Sequence, residues 1–170
     1  MTAGINNINS LVDQIRIGRT RAALALTGGA TGAITALLRR PGGSRTVLDV
    51  AIPYAPEAIA SYLGFQPQQA VSTSTATALA RAAFDRALSF RTDSTIPVVG
   101  LGCSAALATD RVRKGPDRLH IATFDGAQTL SYVREFDASE QAREEQESRS
   151  EELVLTALAD AVGCPVLNQL

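Results

Sequence analysis

The sequence predicts an α/β fold: a three-layer α/β/α domain with a mixed, partly parallel sheet. Helix-like and strand-like segments alternate through the first hundred residues, which is typical of parallel strands joined by helices. Two later β-rich segments, 118–124 and 129–136, are joined at Asp125-Gly126, which favours an antiparallel hairpin. With 170 residues, 45% of them hydrophobic, we expect a single domain over residues 1–170.

The first predicted elements are a helix, a strand and a helix. Apolar residues recur at helical spacing over 5–17, and the short uncharged segment 22–26 is typical of a buried strand. An apolar and then basic segment over 33–40 predicts the second helix, which Pro41-Gly42-Gly43 ends.

The middle of the chain predicts a strand followed by two helices. The segment 46–54 is rich in β-branched residues and predicts the strand. Pro56 fits the first turn of a short helix that Gly64 ends. Ser72-Thr73-Ser74 supplies candidate N-caps for an alanine-rich helix that continues to residue 90.

The last part of the chain predicts a third parallel strand over 97–102, then the hairpin, then a helix over 139–162. We expect the third strand to break into a loop of small residues, 103–106. The charge-rich stretch 140–152 is interpreted as a solvated helix face, with a partner-binding helix as the alternative.

The most informative motif is Thr27-Gly28-Gly29-Ala30-Thr31-Gly32, which we call the glycine elbow. A strand that enters a helix through a glycine-rich turn exposes N–H groups that suit a phosphate, a carboxylate or an oxyanion. We therefore predict ligand contacts at Gly28, Gly29, Ala30 and Thr31. The alternative is that the glycines only allow close packing, since their spacing matches neither a Walker loop nor a dinucleotide motif.

Two further strand ends carry small or polar residues, 54–57 and 102–106. Ligands of open α/β sheets bind beyond the carboxyl ends of strands, where neighbouring loops diverge. If the three strand ends converge, they form a pocket for a nucleotide-like ligand that also uses Gly102 and Cys103. Cys103 is a candidate nucleophile, and a buried inert thiol is the alternative.

Composition excludes several classes of partner. The net charge of −1 and the aromatic content of 5% argue against a nucleic-acid partner. A single histidine, His120, and the lack of paired cysteines predict neither a metal nor another cofactor; we expect His120 to be a packed or surface strand residue. The uncharged segment 22–38 is interrupted by glycines, so we expect no membrane span and a soluble, cytoplasmic protein.

Several motifs resemble the carboxy-terminal domain of the CinA competence-damage proteins, the nicotinamide mononucleotide deamidase (PncC) family. The family pattern PGSS resembles residues 41–44, YSNEAK resembles Tyr54 with Glu57-Ala58, LLG resembles 63–64, and AVS resembles 70–72. The resemblance covers about residues 8–160. The chain resembles even more closely the CinA-like domain of plant nucleotidyltransferase-like proteins, whose elbow also has two hydroxyl residues around Gly-Gly-Ala.

The resemblance implies amide hydrolysis, with Thr27 at the place of the family's serine nucleophile and Tyr54 or Ser104 assisting. It also implies a pyridine-nucleotide-like ligand and a homo-oligomer. The chain departs from the pattern where Leu26 replaces a glutamate and Ile59 replaces the lysine expected to activate the serine. A catalytically inactive nucleotide-binding or scaffolding domain is therefore the alternative, and a hydrolase or transferase that uses Cys103 is a third possibility.

Overall fold

The computed structural model describes residues 2–110, 115–137 and 142–163, with side chains from residue 7 onward. Each predicted helix and strand is present, and the predicted beginning of the last helix at residue 139 lies outside the described residues. The elements are α1 (Thr2–Ile17), β1 (Arg21–Thr27), α2 (Gly32–Arg39), a 3₁₀ turn (Gly43–Arg45), β2 (Val47–Ala51), α3 (Pro56–Leu63), α4 (Thr73–Phe90), β3 (Val98–Ala106), β4 (Arg118–Phe124), β5 (Thr129–Glu135) and α5 (Arg143–Ala161).

The strands form one mixed sheet in the order β2-β1-β3-β4-β5. β1 pairs in parallel with both β2 and β3, whereas β4 is antiparallel to β3 and to β5. The predicted α/β class with a mixed, partly parallel sheet is therefore confirmed. The predicted hairpin is present at Asp125, whose carboxylate accepts the N–H groups of Ala127 and Gln128 at 2.8 and 2.7 Å.

Side chains of the central strands alternate between two helical layers. Leu24 and Leu26 of β1 belong to a buried cluster that includes residues of α1, α2 and α5. Ala23 and Ala25 of the same strand pack instead with Leu79 and other residues of α4. This alternation follows from the period of two residues along a strand, and it places helices on both faces of the sheet.

Small residues in β3 let α4 approach the sheet closely. A Cβ atom added at Gly102 would lie closer than 3.0 Å to backbone atoms of Ala76 and Ala80, and one at Gly100 would meet Ala80 and Phe84 in the same way. Both glycines are buried. Gly102 therefore serves helix packing, and the prediction that it contacts a ligand is not supported by its position.

The predicted loop at residues 103–106 is wrong, because these residues continue β3. β4 pairs with β3 as far as Ala106, which extends the strand beyond the end of β1. Cys103 consequently lies in the middle of the sheet, is fully buried, and belongs to the same cluster as Leu24. Burial, with a smaller contribution from Glu147, raises the pKa of its thiol, so the proposal of a Cys103 nucleophile is not supported.

The uncharged segment 22–38 divides into the strand β1, the glycine elbow and most of the short helix α2. The turn between strand and helix interrupts its apolar character. Over the parts of the chain that the structure describes, no helix combines the length and the hydropathy that a bilayer crossing requires.

Candidate functional site at the glycine elbow

The glycine elbow lies against the end of β3. Gly28 has φ +81°, and a Cβ there would overlap the carbonyl group of Ala105. A Cβ at Gly29 would likewise meet the side chain of Leu107. Gly28 is thus needed for conformation and close packing, which is the alternative that the glycine spacing left open.

Ala30 is the point at which the backbone amide of the elbow meets a carboxylate. It is buried, has φ +65°, and donates its N–H to Glu147 Oε2 of α5 over 2.6 Å. The adjacent Thr31 is exposed, and its side chain makes no capping bond to α2. The elbow is therefore an anion-accepting turn, and the anion that it accepts belongs to the chain itself.

Arg143 holds this carboxylate in place and also binds the segments that follow β1 and β3. Its guanidinium donates to the carbonyl oxygens of Gly28 at 3.0 Å and Ala108 at 3.2 Å, and it contacts Glu147 Oε1 at 3.0 Å. We call Arg143 and Glu147 the α5 clasp. The clasp joins the elbow to the segment that follows β3 and covers the elbow with the first turns of α5.

Gln146 holds the same helix to the same segment after β3. Its side-chain oxygen accepts the N–H of Ala108 at 2.6 Å, and its amide nitrogen donates to Asp117 Oδ2 at 2.9 Å. Gln146 is buried despite its charged neighbours. The interpretation of residues 140–152 as a solvated face is therefore correct only for part of α5, such as the exposed Glu144.

Sequence reasoning missed Arg143, Gln146 and Glu147, although one regularity pointed to the buried face. Buried residues of α5 recur every four positions, at Gln146, Ser150, Val154 and Leu158. The buried face that Val154 and Leu158 form therefore continues towards the N-terminus of the helix, where polar residues occupy it.

The structure brings Thr27 and Ser104 together as partners in adjacent parallel strands. Both are buried, with exposed fractions of 4% and 0%. The Ser104 hydroxyl donates to the carbonyl oxygen of Ser72 at 3.2 Å and lies 3.4 Å from the Ser72 nitrogen. It is thus bound to the N-cap of α4.

Neither Tyr54 nor Ile59, at the place of the implied lysine, supplies a catalytic base next to Thr27. Tyr54 lies three residues beyond the end of β2 and is 66% exposed. Ile59, at the place where the resemblance implies a lysine, is buried in α3 and is 3% exposed. The single lysine of the sequence, Lys114, lies outside the described residues. The described site therefore contains a hydroxyl without a neighbouring base.

His120 belongs to a separate polar contact on the α4 side of the sheet. Its Nδ1 lies 3.0 Å from the Thr73 hydroxyl at the beginning of α4, and burial, with a contribution from Arg118, lowers its pKa. It is half-buried. This agrees with the expectation of a packed strand residue.

Glu151 gives the site a measurable pH dependence. It lies beside Gly32, and burial raises the pKa of its carboxyl, which Arg39 opposes and Glu147 reinforces. Because the folded-state pKa is raised, protonation of Glu151 stabilises the folded protein at low pH. This contribution to the free energy of unfolding is lost as pH rises through the folded-state pKa. Glu151→Gln is therefore expected to raise the thermal midpoint at pH 7.

The gain from Glu151→Gln should shrink as the pH is lowered below the usual pKa of glutamate, where both side chains are neutral. Thermal unfolding followed by circular dichroism between pH 4 and pH 8 measures it. The exposed Glu144→Gln, in the first turn of the same helix, is the control and should give no gain in the midpoint. A Glu151→Gln gain that is equal at both ends of this range would contradict the assignment.

The fold is that of solved CinA superfamily structures. A competence or damage-inducible protein from Enterobacter asburiae matches with a TM-score of 0.74 at 16% identity, over 92% of this chain and 98% of that chain. A CinA superfamily protein from Escherichia coli matches with 0.71 at 16% identity, over 92% and 88%. The competence/damage-inducible protein CihA from Agrobacterium tumefaciens matches with 0.71 at 21% identity, over 92% and 95%.

These likenesses confirm the fold that the sequence motifs suggested, and at such identities they concern the fold alone. No protein-family model and no curated protein matches the sequence significantly. The chemistry of the elbow therefore depends on its own residues.

Proposed function

We propose that this chain, which has the fold of the CinA superfamily structures, is a scaffolding domain that does not hydrolyse an amide. The observation that carries the proposal is the 2.6 Å bond from the Ala30 N–H to Glu147. An amidohydrolase needs unoccupied donors at the place where the oxyanion develops. A fixed carboxylate at that donor repels the developing negative charge and occupies its place.

The state of the candidate nucleophile supports the same conclusion. A threonine hydroxyl is a weak nucleophile until a neighbouring base removes its proton. Thr27 is buried, Ser104 is engaged with Ser72, and Ile59 offers no amine. The domain thus has the fold of its structural neighbours, while its polar groups are used to hold α5 on the sheet.

The proposal is tested by incubating the protein with nicotinamide mononucleotide and measuring ammonia and the deamidated nucleotide. We expect product formation at the rate of the buffer blank. Activity above the blank that Thr27→Val abolishes would overturn the proposal, because valine keeps the shape of threonine without the hydroxyl. Thr35→Val, at an exposed position of α2, is the matched control and should behave like the unsubstituted protein.

A second candidate function is the binding of a nucleotide without hydrolysis, and the elbow itself favours it. The Ala30 amide and Arg143 together hold a carboxylate, so a phosphate or carboxylate of a pyridine-nucleotide-like ligand has the chemistry to replace Glu147. Any such ligand competes with an anion that is already tethered to the chain.

Calorimetric titration with nicotinamide mononucleotide, and separately with inorganic phosphate, distinguishes the two candidates. Glu147→Gln keeps the size of the side chain and removes its charge, so a binding function predicts affinity at least about tenfold higher, or about 1.4 kcal/mol. A purely scaffolding function predicts no binding of either compound to Glu147→Gln. Glu144→Gln is again the control.

A further inference from the structure

A groove with a volume of about 650 Å³ lies between α5 and one face of β4 and β5. Leu119 and Ile121 of β4 form part of its floor, and both belong to the buried cluster that includes residues of α5. Arg134 and Tyr132 of β5 lie directly opposite them, and opposite residues of an antiparallel pair share a face of the sheet. The groove has the size of a small-molecule site.

The wall that α5 supplies is a single face of the helix. Its lining residues lie three, four and seven positions after the first, which places them along one side of a helix: Arg149, Glu152, Leu153 and Thr156. This face is separate from the buried stripe that holds the helix on the sheet. α5 therefore packs on the core with one side and borders the groove with another.

Contacts at the two ends of the groove show the direction in which α5 runs along it. In the early turns of the helix, Gln146 binds Asp117, the residue before β4. In the later turns, Asp160 Oδ2 lies 3.5 Å from the hydroxyl group of Tyr132. Because the beginning of β4 pairs with the end of β5, the early turns of α5 lie at the end of the groove that β5 closes with its last residues.

Two arginines from opposite walls lie at that end. Arg149 is in the second turn of α5, and Arg134 is the last residue but one of β5. The carboxylate of Glu152 accepts bonds from Arg149 and from Asn7, so both of its oxygens have donors. Its contact uses one of the five N–H groups of Arg149, whose side chain is 61% exposed. Among the described lining residues, two cations thus face one anion.

The opposite end of the groove is apolar. Ile121 is 2% exposed, and Leu153 packs against the same buried cluster. The hydroxyl group of Thr156 donates to the backbone carbonyl oxygen of Glu152 at 2.8 Å, so its polar atom is bonded within the helix. The groove therefore has a cationic end and an apolar end.

We propose that this groove binds a small carboxylic acid, with the carboxylate at Arg134 and Arg149 and the apolar body along Ile121 and Leu153. An arginine matches a carboxylate with two parallel hydrogen bonds. Removal of the apolar body from water supplies the remaining affinity. This site lies apart from the glycine elbow, and the inference does not rest on the proposed function.

Calorimetric titration of the full chain with sodium octanoate tests the proposal, and 1-octanol is the neutral probe of equal chain length. We expect saturable binding of octanoate, and binding of 1-octanol at least about tenfold weaker, because hydrogen bonds to charged groups are the stronger ones. Arg134→Gln should weaken octanoate binding by at least about tenfold and leave 1-octanol binding unchanged. Arg81→Gln, at an exposed position of α4 beside Phe124, is the matched control and should bind octanoate like the unsubstituted protein.

Three results would overturn the proposal. The first is equal affinity for octanoate and 1-octanol, and the second is a full chain that binds neither compound. The third is unchanged octanoate binding by a protein that carries both Arg134→Gln and Arg149→Gln and keeps the circular dichroism spectrum of the unsubstituted protein. Inorganic phosphate, the probe of the elbow, has no apolar body and should not displace octanoate. Displacement would move octanoate to the elbow and equally reject the groove, whereas the ammonia measurement is independent of all these results.

Discussion

Replacing Gly102 with alanine is expected to lower the free energy of unfolding by about 3 kcal/mol, at the upper end of overpacking effects in cores. The added methyl group would lie closer than 3.0 Å to backbone atoms of Ala76 and Ala80 in α4. Backbone atoms cannot rotate away, so the helix has to move off the sheet and loosen its contacts with β3 and β4. Urea unfolding followed by circular dichroism measures the difference.

Gly64 provides the control for this substitution. It ends α3 with φ +79°, and a Cβ there would have no neighbour within 4 Å. Gly64→Ala therefore carries only the strain of a left-handed conformation, about 1 kcal/mol. Gly102 has no positive φ, so the two variants separate steric overlap from backbone strain. Equal losses in the two proteins would show that α4 is not held at its observed distance.

The outcome for Gly102 illustrates what the sequence predicted and what it could not. The strand–elbow–helix unit was predictable, because the uncharged strand segment, the glycines of the elbow and the proline that ends the helix, Pro41, are all local features. The end of β3 was not. Cys103 was expected to begin a loop after a strand that ends at Gly102, and it remains in the strand because β4, which follows later in the chain, pairs with it.

Cys103 and Ser104 show how much depends on one residue of register. Along β3, side chains alternate between α5 and α4, so Cys103 packs into the cluster with Leu24 while Ser104 bonds to the N-cap of α4. A thiol placed one position later would lie beside Thr27. The sequence offered no evidence for this assignment, because small residues occupy both faces of the strand.

The α5 clasp was the least predictable part of the site. Arg143 and Glu147 are four residues apart, a spacing that is ordinarily an exposed helical ion pair of small energetic consequence. Their contacts to Gly28 and Ala30 span more than one hundred residues. Arg143 and Glu147 reach the elbow only because α5 packs over the end of β1. No pattern in the nearby sequence predicts that packing.

The elbow connects the fold to the proposed function. A left-handed Ala30 directs its N–H towards a negative charge, which is the geometry that the sequence motif predicted. The structure differs in the source of that charge, which is α5 of the same chain. The anion-accepting turn is thus a structural contact that holds two layers together.

A glutamate cannot replace Leu26 without a large loss of stability. Leu26 is fully buried in the cluster formed with α1, α2 and α5. A carboxyl group there would remain protonated in the folded state, and keeping it neutral at pH 7 costs about 4 kcal/mol relative to its ordinary ionisation. We therefore expect Leu26→Glu to lower the free energy of unfolding by at least that amount, as measured in urea at pH 7.

The pH dependence of Leu26→Glu separates this cause from a simple change of shape. Because the folded-state pKa is raised, the penalty shrinks as pH falls, by about 2.7 kcal/mol between pH 7 and pH 5. Leu26→Gln has a similar size and no ionisable group, so its loss should not change over this range. If both variants respond equally to pH, the carboxyl group at position 26 is ionised in the folded protein, and the position is not as shielded from charge and water as the burial of Leu26 indicates.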